Sequence, residues 1–441
     1  MTHRPRPGGP AVAEPGADLA RRSAVVFPGA SLGEYNLPED MAVVLAKGEG
    51  ATVWDVDGRR FLDFTMGWGS VLLGHAHPAV VEAVRRQAGL GSNFAYVSAP
   101  ALELAEELRR AVPCAERLRF CASGTEATAY AARLARAFTG RPRLLKFEGA
   151  YHGANEIGTV SLFPRRLHEF PRGEPTSAGL STSAVADLLV APFNDLATTE
   201  AIVAAHRDEL AGIIVEPLHR CTPPRPGFLQ GLRRLASEAG GLLIYDETVT
   251  GFRLAYGGAQ AYYGVRPDLC ALGKALGGGY PLGAVAGRAD VLDLIREDRL
   301  GEERYVWFAS SLGGNPVSSA AGLAALSELR KPGTYSRLFA LGEALRSGLR
   351  TVLGEEGVTA HVQGDGPLAA VVFTDGEVVD YRSAFRADRQ RARTFLLGLF
   401  RRGIFLNPMS TKLYLSLAHT EREVEAFLDV ARATLREDCH G

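Results

Sequence analysis

The sequence predicts an α/β protein built around a mostly parallel β-sheet. Between residues 118 and 272, short and continuously apolar runs alternate with helical or loop segments. A strand that is apolar at every position is buried on both faces, and strands separated by helices usually pair in parallel. The runs that we expect to form strands are 118–121, 144–147, 188–190, 213–215, 242–245 and 269–272.

The segments on either side of this sheet carry their own signals. Asp57-Gly58 lies between two short runs, 53–56 and 61–64, and this dipeptide predicts a β-hairpin. From Pro78 to Val112 the pattern is helical. The residues that we expect on the buried face of this stretch are Leu102, Leu104, Ala105 and Leu108. Later in the chain, the expected elements are helices at 318–329 and 338–353, a strand at 369–373 and a final helix that begins near Thr420.

This order of elements predicts a large central domain and a smaller α+β domain built from both chain ends. The expected boundaries are a flexible tail at 1–23, the N-terminal part of the small domain at 24–85, the large domain at 86–317 and the C-terminal part of the small domain at 318–441. With 441 residues, of which 46% are hydrophobic, the chain can fill cores of this size.

Composition and charge argue against several classes of protein. The formal net charge is −1, so neither nucleic acid nor an anionic membrane surface is expected as a main partner. The N-terminus lacks the apolar core of a signal peptide, and no apolar run reaches the length of a membrane span. The cysteines at 114, 121, 221, 270 and 439 form no CxxC pair, and His75-Ala76-His77 has no third ligand nearby. We therefore expect a cytoplasmic protein with reduced thiols and no metal.

Two strand ends carry the chemistry. The run 242–245 stops on Asp246, and the run 269–272 is followed by Lys274 in a glycine-rich segment. An amine and a carboxylate should therefore meet at one edge of the sheet. Pyridoxal phosphate (PLP) needs such a pair, because an amine holds its aldehyde as a Schiff base and a carboxylate keeps its ring nitrogen protonated. These residues predict a PLP enzyme.

A third strand end predicts an anion site. Ser123, Gly124 and Thr125 follow the run 118–121 and open a helix with a clear apolar face. Small residues at a helix N-terminus let backbone N–H groups approach an anion, and the helix dipole favours negative charge. An ordinary Ser/Thr cap would explain the same residues equally well. The nearby Lys274 favours phosphate binding.

Tyr151 and His152 follow another strand. A tyrosine flanked by small residues at a sheet edge can lie flat on a planar cofactor, although a surface or core tyrosine is the commoner case. We expect His152 to have an orienting or structural role and not to act as the general base. Lys274 is not a P-loop lysine, because Asp268 and Ala275 stand where that motif needs Gly and Ser or Thr, and a P-loop NTPase is therefore excluded.

Taken together, the segments resemble class III PLP-dependent aminotransferases, and within them the glutamate-1-semialdehyde aminomutase-like branch. The resemblance spans roughly residues 45–430. The motifs, in family order, are Trp54-Asp55-Val56-Asp57-Gly58, Gly74-His75-Ala76-His77-Pro78, Ser123-Gly124-Thr125-Glu126-Ala127, Lys146-Phe147-Glu148-Gly149, Tyr151-His152-Gly153, Val215-Glu216-Pro217, Asp246-Glu247, Gly251-Phe252-Arg253 and Gly314-Asn315-Pro316. The resemblance implies fold type I of the PLP-dependent enzymes.

The resemblance also implies roles for individual residues. Lys274 would form the Schiff base and shuttle protons, and Asp246 would pair with the pyridine nitrogen. The remaining cofactor contacts implied are Ser123, Gly124 and Thr125 at the phosphate, Tyr151 on one ring face and Thr248 on the other. Ser311 stands where the family has a threonine that reaches the neighbouring subunit's phosphate, which implies a homodimer with shared active sites.

The substrate site departs from the family pattern. The aminomutases carry an arginine near the N-terminus, but the comparable stretch 29–35 has none. They also have a glutamate near the C-terminus, where this chain has Ser410-Thr411-Lys412. The loop at 218–221 is short and lacks the gating glutamate of ornithine-type members. The candidate substrate contacts are Trp68, Arg220 and Lys412.

These departures favour an intermolecular aminotransferase that moves an amino group between a small-molecule amino donor and a carbonyl acceptor. An intramolecular aminomutase of the glutamate-1-semialdehyde type is the alternative, and a racemase or decarboxylase on the same fold also stays open. A PLP-binding regulator without catalysis would need a DNA-binding extension, and neither end of the chain carries a basic recognition helix.

Overall fold

The computed structural model describes residues 15–33 and 35–438. Its strands are β1 (Leu45–Glu49), β2 (Thr52–Asp55), β3 (Arg60–Asp63), β4 (Arg117–Cys121), β5 (Arg143–Phe147), β6 (Leu188–Ala191), β7 (Leu210–Val215), β8 (Leu242–Asp246), β9 (Leu269–Leu272), β10 (Gly283–Gly287), β11 (His361–Gln363), β12 (Leu368–Val372), β13 (Ile404–Phe405) and β14 (Lys412–Tyr414). Its helices are α1 (Pro15–Val26), α2 (Met66–Gly69), α3 (Pro78–Ala88), α4 (Ala99–Ala111), α5 (Gly124–Thr139), α6 (Glu156–Thr159), α7 (Thr182–Ala186), α8 (Leu196–Ala205), α9 (Phe228–Glu238), α10 (Gly258–Tyr262), α11 (Ala289–Leu292), α12 (Pro316–Leu329), α13 (Thr334–Glu355), α14 (Tyr381–Phe385), α15 (Arg389–Arg401) and α16 (Glu421–Asp438).

The central sheet has seven strands in the order β4-β10-β9-β8-β7-β5-β6. Neighbours from β9 to β6 pair in parallel, and β10 is antiparallel to both β4 and β9. The predicted α/β fold with a mostly parallel sheet is confirmed, and all of the predicted strands of the central region lie in this sheet. The strand β10 was not predicted, because its glycine and alanine residues around Val285 lack the bulky side chains that mark a strand.

Both faces of this sheet are buried. Along β8, Leu243 and Tyr245 pack into one hydrophobic core with residues of α4, α9 and α12. Leu242 and Ile244 point the other way and pack into a second core with residues of α5. Side chains of a strand alternate between faces, so only a continuously apolar run can fill both cores.

Of two smaller sheets, one combines residues from both ends of the chain. In the first, with the order β1-β2-β3-β13, the predicted hairpin forms and Trp54 pairs with Arg60. The strand β13 then lies parallel to β3, so Ile404 is opposite Leu62. The second small sheet has the order β11-β12-β14. The domain boundaries themselves stay a prediction.

Two expected elements differ in the structure. The stretch from Pro78 to Val112 is not one helix, because α3 ends at Ala88 and α4 begins only at Ala99. Gly91 lies in this gap with a φ of 119°, a backbone conformation that interrupts a helix. Leu104 and Leu108 are buried as expected, whereas Leu102 is 52% exposed.

The predicted N-terminal tail is partly helical. Residues 15–23 belong to α1, whose first turn carries Asp18, a charge that favours a helix N-terminus. The backbone N–H of Gly16 also donates to Asp57, 2.9 Å away. Residues 1–14 of the predicted tail lie outside the described residues. Within 15–33 and 35–438, none of the helices is both long enough and apolar enough to span a bilayer.

Candidate active site

The candidate site lies at one edge of the central sheet, where three strands end. Asp246 is the last residue of β8, and Lys274 follows β9 after one intervening glycine. Gly124 opens α5, which comes just after β4. Because β8 and β9 are parallel and β4 runs in the same direction, their carboxyl ends share an edge. The structure therefore brings together the three strand ends that the sequence analysis singled out.

These segments approach one another very closely. A Cβ atom added at Gly124 would lie 2.7 Å from Cγ2 of Thr248, the second residue after β8. A Cβ added at Gly153 would lie 2.7 Å from Cα of Thr125. No real side chain tolerates such distances, so glycine at 124 and 153 is what permits this packing.

Lys274 has an unusual backbone and an unusual amine. Its φ is 45°, in the left-handed region that non-glycine residues seldom occupy and that is concentrated at functional sites. Burial lowers the pKa of Lys274 to about 8, and the negative charge of Asp246 opposes this shift. The positive charge of Lys412 lowers the pKa of Lys274 further. The amine is therefore more easily deprotonated than that of an ordinary lysine.

Asp246 is held by two neighbours. Its side chain is only 5% exposed. Oδ2 lies 2.8 Å from Nδ1 of His152, and Oδ1 accepts hydrogen bonds from the hydroxyl and backbone N–H of Thr248, at 2.6 and 3.0 Å. His152 is fully buried, and its Nε2 has no hydrogen-bond partner among the described residues. The ring of His152 thus contacts the carboxylate directly, and its expected orienting or structural role stays a prediction.

Ser123 caps the N-terminus of α5, as expected for an ordinary Ser/Thr cap. Oγ of Ser123 accepts a hydrogen bond from the backbone N–H of Glu126, 3.2 Å away, and Oγ1 of Thr125 accepts one from Ala154 at the same distance. The first backbone N–H groups of a helix have no acceptor within the helix. A Ser123 cap thus leaves the N–H groups of Gly124 and Thr125 in a position to bind an anion.

Glu216 is a charged residue of the site to which the sequence analysis gave no role. It follows β7, and its Oε2 accepts a hydrogen bond from the backbone N–H of Tyr151, 3.3 Å away. Burial would raise the pKa of Glu216, but His219, His152 and Lys412 outweigh it and lower this pKa to about 2. The signal that marks Asp246, an apolar strand ending on a carboxylate, also marks Glu216.

The expected substrate contacts lie in different environments. Trp68 is 37% exposed, has a φ of 57° and contacts the ring of Tyr35 with 5.6 Å between centroids. Arg220 already donates hydrogen bonds to the carbonyls of Gly149 and Leu162. The guanidinium of Arg220 thus contributes to loop structure.

The side chains of Lys412 and of a second cation, Arg253, both lie against the ring of Tyr414. Nζ of Lys412 lies 5.3 Å from the centre of the Tyr414 ring, and the guanidinium carbon of Arg253 lies 5.5 Å from the same centre. Arg253 is fully buried, and its Nη1 has no hydrogen-bond partner among the described residues. Its Nη2 donates to the carbonyl of Gly69, next to Trp68. In the sequence Arg253 ends the motif Gly251-Phe252-Arg253, and no local signal indicates that it shares the Tyr414 ring with Lys412.

The segment that contains Ser311 is tied to the same helix N-terminus. The hydroxyl of Ser310 donates to Oε2 of Glu126 in the first turn of α5, 3.0 Å away. The carbonyl of Ser311 accepts a hydrogen bond from the side chain of Asn93, also at 3.0 Å. A contact from Ser311 to a second subunit stays a prediction.

Comparisons with known proteins agree with this arrangement. The family model described as "Aminotransferase class-III" matches residues 35–425. Glutamate-1-semialdehyde 2,1-aminomutase of Thermomicrobium roseum is 41% identical over 403 residues, which are 90% of this chain and 92% of that protein. The enzyme of the same name from Desulforudis audaxviator is 39% identical over 398 residues, covering 89% of this chain and 90% of that protein.

Solved structures show the same fold. An omega-transaminase from Sphaerobacter thermophilus has a TM-score of 0.91 and 37% identity, and the match covers 98% of this chain and 99% of that one. A glutamate-1-semialdehyde aminomutase (K286A) from Pseudomonas aeruginosa PAO1, solved in complex with PMP, has a TM-score of 0.86 and 27% identity, covering 96% of this chain and 94% of that one. The family and the fold expected from the sequence are confirmed.

The pKa of Lys274 can be tested by pulse labelling with an amine-specific reagent, followed by mass spectrometry, on protein freed of small ligands. Labelling should rise with pH through a midpoint near 8, because only the neutral amine reacts. Lys331, whose side chain is 61% exposed, is the internal control for labelling efficiency. Asp246→Asn should move the Lys274 midpoint to lower pH, since the carboxylate raises this pKa. A Lys274 midpoint at the ordinary lysine value of 10.5 would contradict the assignment.

Proposed function

This chain belongs to the class III aminotransferases, and on that premise we propose that it is a PLP-dependent enzyme that moves an amino group with Lys274 as its central residue. The proposal is supported by the way one sheet edge combines the Lys274 amine, the Asp246 carboxylate and the N-terminus of α5. Each of these groups matches a different part of the cofactor.

The residues present fit PLP. The N–H groups at the start of α5 would hold the phosphate, and Asp246 would face the ring nitrogen with its own orientation set by His152 and Thr248. The ring of Tyr151, which is 45% exposed at this edge, would cover one face of the cofactor. Within residues 15–33 and 35–438, Nε2 of His152 has no hydrogen-bond partner, which favours a site arranged around a bound group.

The chain's own groups account for the proton chemistry. When bound, PLP acts as an electron sink that makes the C–H bond beside the transferred nitrogen acidic. Lys274 is placed to take up and return that proton, and its pKa of about 8 keeps an appreciable neutral fraction near neutral pH. Asp246 would stabilise positive charge on the ring nitrogen, and the burial of Asp246 would strengthen this interaction.

We propose intramolecular amino transfer, the reaction of an aminomutase, as the first candidate for the overall reaction. The curated relatives at 39% and 41% identity are both glutamate-1-semialdehyde 2,1-aminomutases, and this observation favours the alternative over the intermolecular aminotransferase that the sequence analysis preferred. The stretch 29–35 lacks the arginine that the aminomutases carry, and this absence argues against an aminomutase. Lys412 supplies another positive charge near Lys274.

Intermolecular transamination is the second candidate. It is favoured by the omega-transaminase of Sphaerobacter thermophilus, which matches 98% of this chain at a TM-score of 0.91. The absence of the aminomutase arginine and glutamate from this sequence points the same way.

The two reactions are separated by giving the PLP-loaded protein glutamate-1-semialdehyde alone and measuring 5-aminolevulinate. An aminomutase should convert it without a second substrate, and Lys274→Ala should lower the rate by about a hundredfold or more, the usual contribution of an acid–base group. Turnover only in the presence of a separate amino donor and carbonyl acceptor would instead establish the transaminase. Undiminished activity of Lys274→Ala would contradict both candidates.

Lys412 is our proposed anchor for a substrate carboxylate. Burial would lower the pKa of Lys412, but Tyr414, Cys221 and Glu216 outweigh this effect and raise it, so the side chain is charged at neutral pH. The positive charge of Lys412 lowers the pKa of Lys274, and the side chains of Lys412 and Arg253 both contact the ring of Tyr414. A carboxylate placed here would gain a charge-assisted hydrogen bond without requiring the missing arginine.

Lys412→Gln should therefore raise KM for a carboxylate substrate about tenfold to a hundredfold, the loss expected for a hydrogen bond between charged groups. The value of kcat should change less, because an anchor for an unreacting carboxylate binds the ground state and the transition state alike. Lys412→Arg keeps the charge and should retain most of the affinity. A KM that is equally raised in Lys412→Arg and Lys412→Gln would show that shape, and not charge, matters at this position.

The enzyme is proposed to act as a homodimer. Large apolar side chains are exposed on both sides of the Asn93–Ser311 contact. They are Leu90 (70% exposed), Phe94 (52%), Tyr96 (87%), Val97 (69%), Trp307 (63%) and Leu312 (51%). Exposed large apolar side chains in two segments joined by a hydrogen bond are typical of a protein interface, and a second copy of this chain is the occupant that the family implies.

The double variant Tyr96→Glu/Val97→Glu should sediment as a monomer, because two buried and unpaired charges oppose association. Its activity should fall in parallel, since the proposed site needs the neighbouring Ser311. Leu102→Glu is the control, because it adds a charge to a side chain that is 52% exposed outside this patch. A fully active monomer would rule out shared active sites.

A further inference from the structure

Lys146 is a buried charge that the proposed chemistry does not use. It lies in β5, its side chain is completely buried, and no carboxylate pairs with it among the described residues. Its Nζ instead donates to three backbone carbonyls, those of Ala150 at 3.1 Å, Ile157 at 2.7 Å and Val160 at 2.6 Å. A buried lysine is rare unless its charge is needed, because an apolar side chain would fill the same position without desolvation.

The three carbonyls match an ammonium group in number. An ammonium has three N–H donors, whereas a glutamine amide has two and a methionine thioether has none. Burial lowers the pKa of Lys146 to about 7, with the negative charge of Glu216 opposing this. The three acceptors favour the charged form, because only that form supplies a hydrogen for each of them.

All three carbonyls belong to one short segment, 150–160, and this segment lies against the candidate site. It carries Tyr151 and His152, whose Nδ1 lies 2.8 Å from Asp246. The carbonyl of His152 accepts a hydrogen bond from Thr128 of α5 at 2.6 Å. Asn155 donates to the carbonyl of Thr125, in the first turn of the same helix, at 3.1 Å. One segment thus contacts both the carboxylate and the helix N-terminus of the site.

We infer that Lys146 is a positioning residue, which gathers both ends of segment 150–160 around its ammonium and thereby sets the His152–Asp246 hydrogen bond and the placement of Tyr151. Ala150 precedes the two site residues, and Ile157 and Val160 follow them, so the lysine closes the segment into a compact loop. Lys146 itself would not touch substrate or cofactor. The catalytic part of this inference rests on the proposed function, whereas its structural part does not.

Hydrogen–deuterium exchange on the full-length protein, with and without PLP, tests the structural part. In Lys146→Met, amides of segment 150–160 should exchange at least about tenfold faster, since several hydrogen bonds to a charged group are lost. Lys146→Gln keeps two donors and should show a smaller increase. Peptides of α13 and α16 should be unaffected. Lys331→Met, which removes a lysine with a 61% exposed side chain, is the matched control and should leave the segment unchanged.

A double-variant cycle tests the route through His152. His152→Phe and Lys146→Met should each lower kcat, and the double variant should be little worse than the poorer single variant, because both changes disturb one hydrogen bond. KM for the substrate should move less than kcat.

Each other outcome would overturn the inference. Unchanged exchange in segment 150–160 would show that Lys146 does not order it, and a uniform rise across the protein, or failure of both Lys146 variants to fold, would assign it to general stability. Additive losses in the cycle would exclude action through His152. Failure of the proposed reaction would leave the exchange result standing, so the two proposals can fail separately.

Discussion

The carboxylate of Asp246 is buried inside the protein, and much of the site is arranged to supply it with hydrogen-bond donors. Burying a charged group without partners costs several kcal/mol, so donors must be supplied from the surrounding chain. The side chain of Thr248 and the ring of His152 supply them at 2.6 and 2.8 Å. His152 can do so only if its own segment is held in place, and this requirement extends to Lys146 and the first turn of α5. One buried charge thereby couples four separate parts of the chain.

Close packing at the sheet edge is the second requirement. Gly124 lies against Thr248 and Gly153 lies against Thr125 at distances that leave no room for a side chain. These approaches bring the helix N-terminus, the carboxylate and the lysine within one small volume. The left-handed backbone of Lys274 is strained, and the packing of the surrounding core has to offset this strain. The seven-stranded sheet, with cores on both faces, supplies that packing.

The cofactor side and the substrate side of the site differ in how they are built. The proposed cofactor side uses residues at or just after strand ends and a helix N-terminus. The proposed substrate side uses Lys412 in a short strand, Arg253 after β8 and Trp68 in α2, which belong to distant parts of the sequence. Such a pocket can change its charge pattern while the groups around Lys274 stay in place. This explains how relatives with different reactions can share so much of the fold.

The sequence by itself determined the elements that follow from local pattern. Continuously apolar runs marked six strands of the central sheet, and Asp246 and Lys274 could be singled out because each ends or follows such a run. The tertiary structure alone decided contacts between distant residues. In the folded chain, Arg220 donates hydrogen bonds to loop carbonyls, and Lys412 and Arg253 contact the same aromatic ring. Leu102 is exposed on α4, which a glycine-containing segment separates from α3. The physical reason is that hydrophobic periodicity records which face of an element is buried, whereas the pairing of charges depends on which elements the fold brings together.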